Sequence, residues 1–168
     1  CSSRAGLQHL FECVYLNTET VSRRISTMTT SRQVRRMLGE GIVHGDAAEL
    51  LPQLPEASVD LFFTSPPYAD ARAYSRIHPD HYVEWFLPYA KEMLAATTET
   101  GSMIINIKNR VANRGPLRGQ RHPYVYQLVL ALQDMGWRWI GTYIWAKPNA
   151  VPGKFGPRTK DSFEYVYH

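Results

Sequence analysis

"LFFTSPPYAD", residues 61–70, runs an apolar segment straight into two prolines and a tyrosine. Neither proline has a backbone N–H to offer a neighbouring strand, so sheet pairing has to stop there. Pro67 also restricts Pro66 to an extended backbone. The carbonyls of Ser65 and Pro66 are thus held in fixed directions without strand partners, while Tyr68 adds a flat ring and Ser65 a hydroxyl. Such a corner suits a planar heterocycle with an exocyclic amino group, whose N–H protons meet the oxygens while its ring stacks on Tyr68. The plainer reading is a strand stop and nothing more. Where the corner sits in the fold decides between them.

Outward from that stretch, strand and helix patterns alternate. Ser31 caps a short basic helix through about Leu38, stopped by Gly39 and Gly41. "GIVHGDA" (41–47) reads as a short strand ending in a Gly-Asp turn, and "AELLPQL" as a helical turn or two broken at Pro52 and Pro55. "SVDLFFT" (58–64) is a near-continuous apolar run, as expected of a strand buried on both faces. A helix from about Asp80 follows, with Asp80 as N-cap and Val83, Phe86, Leu87, Ala90, Met93 and Leu94 at helical spacing. Pro88 should kink or divide it, and Gly101 should end it. "SMIINI" (102–107) is a second buried strand. Residues 123–135 form a helix between Pro123 and Gly136, "WRWIGTYIWAK" (137–147) a third long strand, and "FEYVYH" a last one. This alternation predicts an α/β fold, a mostly parallel sheet with helices on both faces. Ligands on such sheets collect beyond the C-terminal strand ends. "TSPPY", the Gly45–Asp46 turn and the loop after residue 107 are each at such an end, along one rim.

The chain has 168 residues, enough for one domain with a real core. At 44% hydrophobic and 12% aromatic residues it is outside the disordered class. No apolar run approaches the ~18 residues that span a bilayer, and Gln8, His9 and Glu12 interrupt "LQHLFECVYL" as a signal-peptide core. No membrane is expected. Cys1 and Cys13 are the only cysteines and have no metal-type spacing, which predicts no metal and a reducing, cytoplasmic setting. The first methionine is Met28, so residues 1–27 are set apart as an N-terminal extension without an assigned role.

Net charge is +4, and its distribution says more than the total. Residues 108–121 hold Lys108, Arg110, Arg114, Arg118 and Arg121 with no acid; residues 147–160 hold Lys147, Lys154, Arg158 and Lys160, again with none. Two solvated loops would account for this. Two acid-free basic loops in one small domain also fit a polyanion, most simply nucleic acid.

"TSPPY" resembles the catalytic motif of DNA amino-methyltransferases, which make N4-methylcytosine or N6-methyladenine. "GDAAELLPQLPEASVDLFFTSPPY", "YVEWFLP", "GSMIINIKN" and "GWRWIGTYIWAKPNAVPGK" are similar to successive blocks of the permuted class whose catalytic motif comes early, so the likeness covers roughly residues 41–168. It implies a Rossmann-like methyltransferase fold, S-adenosyl-L-methionine as cofactor and DNA as partner, and leaves a homodimer open. Catalytic roles fall on Ser65, Pro66, Pro67 and Tyr68, and cofactor contacts on Asp46 and Thr64. For Asp46 the alternative is an ordinary Asx turn or helix N-cap. DNA contacts fall on Lys108, Arg110, Arg114, Arg118, Arg121, Lys147, Lys154 and Arg158. Asp70 and Arg72 would order the loop or touch DNA. Trp145, Lys147 and Asn149 resemble the block beside the flipped base, with Trp145 otherwise a core aromatic. His44 and His122 are read as surface or capping residues.

The Ser-Pro-Pro-Tyr form is commonest among cytosine-N4 enzymes, which favours that base; adenine N6, an RNA base and a non-catalytic nucleic-acid-binding domain are the alternatives. The glycine-rich cofactor loop of the Phe-x-Gly-x-Gly type follows these blocks in the permuted class and is not found here. Residues 28–168 are therefore expected to be a partial catalytic domain, incomplete at the C-terminus, with weak or no cofactor binding and little turnover by itself, the rest coming from a longer chain or from a partner chain.

Overall fold

The computed structural model describes residues 45–70, 77–112, 115–148 and 161–168, together with the backbone of the strand Cys13–Tyr15. Its elements are β1 (Cys13–Tyr15), α1 (Ala47–Leu50), a 3-10 turn (Leu51–Gln53), β2 (Val59–Thr64), a 3-10 turn (Pro79–His81), α2 (Tyr82–Ala96), β3 (Thr97–Ile107), α3 (Tyr124–Met135), β4 (Thr142–Ala146) and β5 (Phe163–Tyr167). They fall into two compact units, one of residues 1–64 and 88–104, the other of residues 65–87 and 105–168. The helix at Ser31, the strand over 41–44, and Arg72, Arg114, Asn149, Lys154 and Arg158 lie outside the described residues, as does His44.

In the first unit the strand order is β1-β2-β3. β1 pairs antiparallel with β2, Cys13 opposite Phe63, so part of the 1–27 segment adds a strand to the sheet. β2 and β3 start from one corner: the N–H groups of Ala57 and Ser58 donate to the carbonyls of Ala95 and Ala96 at 3.0 and 2.8 Å, and Thr98 Oγ1 donates to Asp60 Oδ1 at 2.9 Å. Two strands leaving the same corner across a helix run parallel, as a βαβ unit requires. Val59, Phe62, Ala90, Met93 and Met103 are buried in this unit. β2 is not buried on both faces: Phe63 is 44% exposed and Leu61 half-buried, so the apolar run overstated its cover.

In the second unit the last residues of β3 pair antiparallel with β5, and β5 pairs antiparallel with β4. The sheet is therefore mixed rather than mostly parallel, while the α/β plan holds. β5 lies between β3 and β4, and joining it to β4 through the second basic loop reverses the chain. Ile105, Ile107, Val125, Leu128 and Tyr167 form the core here. Gly136 ends α3 at φ +117°, and its N–H and that of Trp137 donate back to carbonyls of the last turn, as the sequence predicts.

Several boundaries differ from expectation. The cap before α2 is His78, whose Nδ1 accepts from Asp80 N at 3.3 Å; Asp80 instead meets His122. α2 passes through Pro88 undivided, and Pro88 is exposed, so the carbonyl it deprives of a donor can turn to water. β4 is half the expected length, and every residue of it is exposed, Tyr143, Ile144 and Trp145 by more than half; Trp145 is no core aromatic. Among the described residues no helix is long and apolar enough to cross a membrane.

Gly101 does not end α2. The helix stops at Ala96, where Thr97 Oγ1 donates to Met93 O at 2.7 Å and the β-branched Thr97 and Thr98 already favour strand. Gly101 lies within β3, where a Cβ would sit 2.9 Å from the Val59 carbonyl and 2.7 Å from Thr97 Cγ2. A backbone carbonyl cannot step aside. Gly101→Ala is expected to cost about 1–3 kcal/mol, read as a lower urea midpoint with an unchanged m-value; a wild-type midpoint would show that β2 and β3 tolerate the methyl group.

Candidate active site

Ser65, Pro66, Pro67 and Tyr68 follow β2 directly and belong to the second unit. Pro66 is fully buried, Ser65 exposed, and Pro67 and Tyr68 half-buried. The corner is clamped from behind. Tyr82, buried in the first turn of α2, donates its hydroxyl to the Pro67 carbonyl at 2.9 Å. Its ring stands edge-on to Tyr124, 4.7 Å between centroids, and the Tyr124 hydroxyl donates to the carbonyl of Lys108. Burial raises both phenols well above the ordinary tyrosine value, so both remain donors.

The Tyr68 hydroxyl is held from two sides. It approaches Glu164 Oε2 at 2.8 Å and Asn106 Oδ1 at 3.0 Å. Asn106 also sits 3.4 Å from Ser65 Oγ, and its Nδ2 donates to the Tyr165 carbonyl at 3.1 Å, which fixes the amide with its oxygen toward the corner. Ser65 Oγ and the Tyr68 hydroxyl are themselves 3.4 Å apart. Strand register explains the convergence. Asn106 is opposite Val166 and Glu164 opposite Trp145, and residues two apart on a strand share a face. Asn106, Glu164, Trp145 and Lys147 therefore line one face of the sheet.

Glu164 and Asn106 are both buried. Burial pushes the Glu164 carboxyl upward, but hydrogen bonds from Lys147 and Tyr68 outweigh it, and its pKa lies below the ordinary value of 4.5. The Lys147 ammonium pairs with Glu164 Oε1 and lies 4.4 Å from the centroid of the Trp145 ring.

The basic loops differ from their sequence reading in one respect: acids from elsewhere answer them. Arg110 pairs with Asp70 at 2.9 Å, Arg121 with Asp161 through both nitrogens at 2.7 and 2.5 Å, and Lys147 with Glu164. Lys108 is half-buried and Arg118 exposed. Asp70 adopts φ +44°, its N–H donates to the Ile77 carbonyl at 3.0 Å, and Arg110 pairs with its carboxylate. His122 is a cap, as expected. Its Nδ1 accepts from Tyr124 N at 3.1 Å, which leaves Nε2 facing Asp80 Oδ1 at 2.7 Å.

Asp46 and Thr64 belong to the first unit. Asp46 caps α1, its Oδ1 accepting from Ala48 N at 2.9 Å, and its carboxylate is otherwise exposed. The hydroxyl of Thr64 is buried with no hydrogen-bond partner among the described residues. A buried hydroxyl without a partner and an exposed carboxylate fit a ligand that carries amino and hydroxyl groups. No group of His, Cys, Asp and Glu side chains among the described residues could hold a metal.

Sequence reading missed Asn106, Glu164 and Tyr82. The first two are polar residues inside apolar strand runs, a signal that was present; Tyr82 left none.

A family model described as DNA methylase matches residues 59–168. Type II methyltransferase M.SfiI of Streptomyces fimbriatus is 30% identical over 143 residues, which take in 73% of this chain and 34% of that protein. Among solved structures, the PvuII DNA methyltransferase (cytosine-N4-specific) is similar over 73% of this chain and 46% of its own, at TM-score 0.62 and 29% identity. A putative DNA modification methylase of Thermus thermophilus, TTHA0409, solved in complex with S-adenosyl-L-methionine, is similar over 73% of this chain and 49% of its own, at TM-score 0.60 and 27% identity. The chain thus spans about a third of the curated relative and just under half of either solved chain.

A carboxylate whose folded pKa is depressed stabilises the fold above its unfolded pKa and loses that effect as pH falls through the folded value. Glu164→Gln is therefore expected to lower stability by about 2 kcal/mol at pH 7, and by much less at pH 3, in urea unfolding. An equal loss at both pH values would exclude the ion pair as its cause.

Proposed function

Because the chain belongs to the DNA methylase family directed at N6 and N4 amines, we propose that it methylates an exocyclic amine of a base flipped out of duplex DNA, and that the base is cytosine. S-adenosyl-L-methionine, when bound, would supply a methyl group on positively charged sulfur for transfer to the amine nitrogen, the neutral thioether leaving and one N–H proton passing to solvent. Asp46 and Thr64 are the residues assigned to hold it, on the strength of the open carboxylate and the unanswered hydroxyl. The amine is a poor nucleophile, since its lone pair is delocalised into the ring. Accepting its two N–H protons at Ser65 Oγ and the Pro66 carbonyl favours a tetrahedral nitrogen with the lone pair directed outward. Tyr68 stacks on the flipped base and returns ~1–3 kcal/mol of the cost of extruding it.

The observation that carries this reading is the fixing of Tyr68: a half-exposed ring whose hydroxyl is tied to two buried side chains beside an exposed serine. A strand stop needs no such anchoring. Ser65 at the head of the motif supports cytosine N4, as does the likeness to a cytosine-N4-specific enzyme. Arg118, exposed in the first basic loop, and Lys108 are assigned to the phosphates along with Arg114, Lys154 and Arg158; Arg110, Arg121 and Lys147 carry acidic partners and contribute less. The protein acts in the cytoplasm on this reading.

The test uses the complete protein that contains this sequence, radiolabelled S-adenosyl-L-methionine and duplex DNA. Tyr68→Ala is expected to lower transfer at least about 100-fold with an unchanged far-UV circular dichroism spectrum. Nucleosides from the wild-type product should include N4-methyldeoxycytidine; N6-methyldeoxyadenosine in its place would reassign the base, and full activity in Tyr68→Ala would end the proposal.

A further inference from the structure

The Tyr68 hydroxyl has one proton, and among the described residues it reaches two acceptors, Glu164 Oε2 at 2.8 Å and Asn106 Oδ1 at 3.0 Å. An ionised carboxylate is the stronger acceptor. With the proton given to Glu164, Asn106 Oδ1 is free for Ser65. The serine proton then turns inward, toward Asn106 Oδ1 or the Tyr68 oxygen, each 3.4 Å away. Its lone pairs are left facing out.

We propose that Glu164 is a positioning residue of the methyl-transfer site: by taking the Tyr68 proton it fixes the ring and sets Ser65 Oγ as an acceptor for the substrate amine. The inference rests on the methyl-transfer reading and names a residue that never touches substrate. If Glu164 loses its charge, the Tyr68 proton swings to Asn106 and displaces that of Ser65, which then points outward. An amine that must give up two N–H bonds meets a donor instead. Among the described residues, the ionisable neighbours of Glu164 are Lys147 just after β4, Tyr68 from the corner and Lys108 beyond β3, and both lysines favour the carboxylate form. Lys147 is thus a charge-keeper for the site first, and any phosphate contact it makes is secondary.

The complete protein is assayed on duplex DNA. Glu164→Gln is expected to lower kcat roughly 10- to 100-fold while KM for DNA changes less than about threefold. Wild-type kcat should fall on the acid side as Glu164 takes up a proton. Lys147→Met should move that limb to higher pH, and Glu164→Gln should lack it. Tyr68→Phe keeps the ring and loses the hydroxyl, so its double variant with Glu164→Gln should be no slower than the slower single one. A purely structural role would lower kcat at every pH and multiply the two defects. The inference is overturned by a Glu164→Gln kcat within about twofold of wild type, by an unmoved limb in Lys147→Met, or by multiplied defects. Should Glu164→Gln fail to fold, the Lys147→Met limb still decides. Tyr68→Ala separates the two readings. If it is fully active, methyl transfer at this corner falls; if it is inactive while Glu164→Gln is fully active, only the positioning role falls.

Discussion

A carboxylate inside a sheet has to be answered, because burying an unpaired charge costs more than most single contacts return. Glu164 is answered from two directions, by the ammonium of Lys147 and the phenol of Tyr68. Both partners are pulled into fixed places as a result. The ring beside the proline corner stands where it does because the interior demands its hydroxyl. Asn106 extends the same demand to Ser65, and its amide is locked by a backbone carbonyl rather than by the ligand side. The corner is held by the protein's own contacts, and the alignment proposed for methyl transfer would gain most from such preorganisation.

Much of this was legible in the chain. Two prolines after an apolar run mark a strand end and a rigid corner, and Pro123 and Gly136 bracket α3 as read. Gly101 misled, because a glycine that stops a helix and a glycine that lets two strands approach look alike in sequence. β4 read too long because aromatic residues continue before it, although only five residues pair along β5. The polar anchors were present as interruptions, Asn106 in "SMIINI" and Glu164 in "SFEYVY", but what they touch depends on strand register. The reversal of direction between β3, β5 and β4 brings positions 106, 147 and 164 onto one face, and no local pattern encodes that pairing.

The basic loops carry a similar lesson. Counting charges along a segment treats it as isolated, whereas Arg110 and Arg121 find acids some forty positions away, at Asp70 and Asp161. Exposed pairs of this kind add little stability, but they lower the local field that a phosphate would feel and hold loop backbones in place. Asp70 shows the second effect, since its left-handed backbone is tied at both the main chain and the carboxylate.

The two buried tyrosines behind the corner differ in kind from the carboxylate in front of it. Tyr82 and Tyr124 fasten the carbonyls of Pro67 and Lys108, and burial keeps their phenols from ionising until far into alkali. Alkaline solution therefore leaves these fastenings in place. Acid works from the opposite end, by discharging the Glu164 carboxylate that holds Tyr68 and Lys147. On the positioning role proposed for Glu164, what acid removes is the placement of the protons on Tyr68 and Ser65.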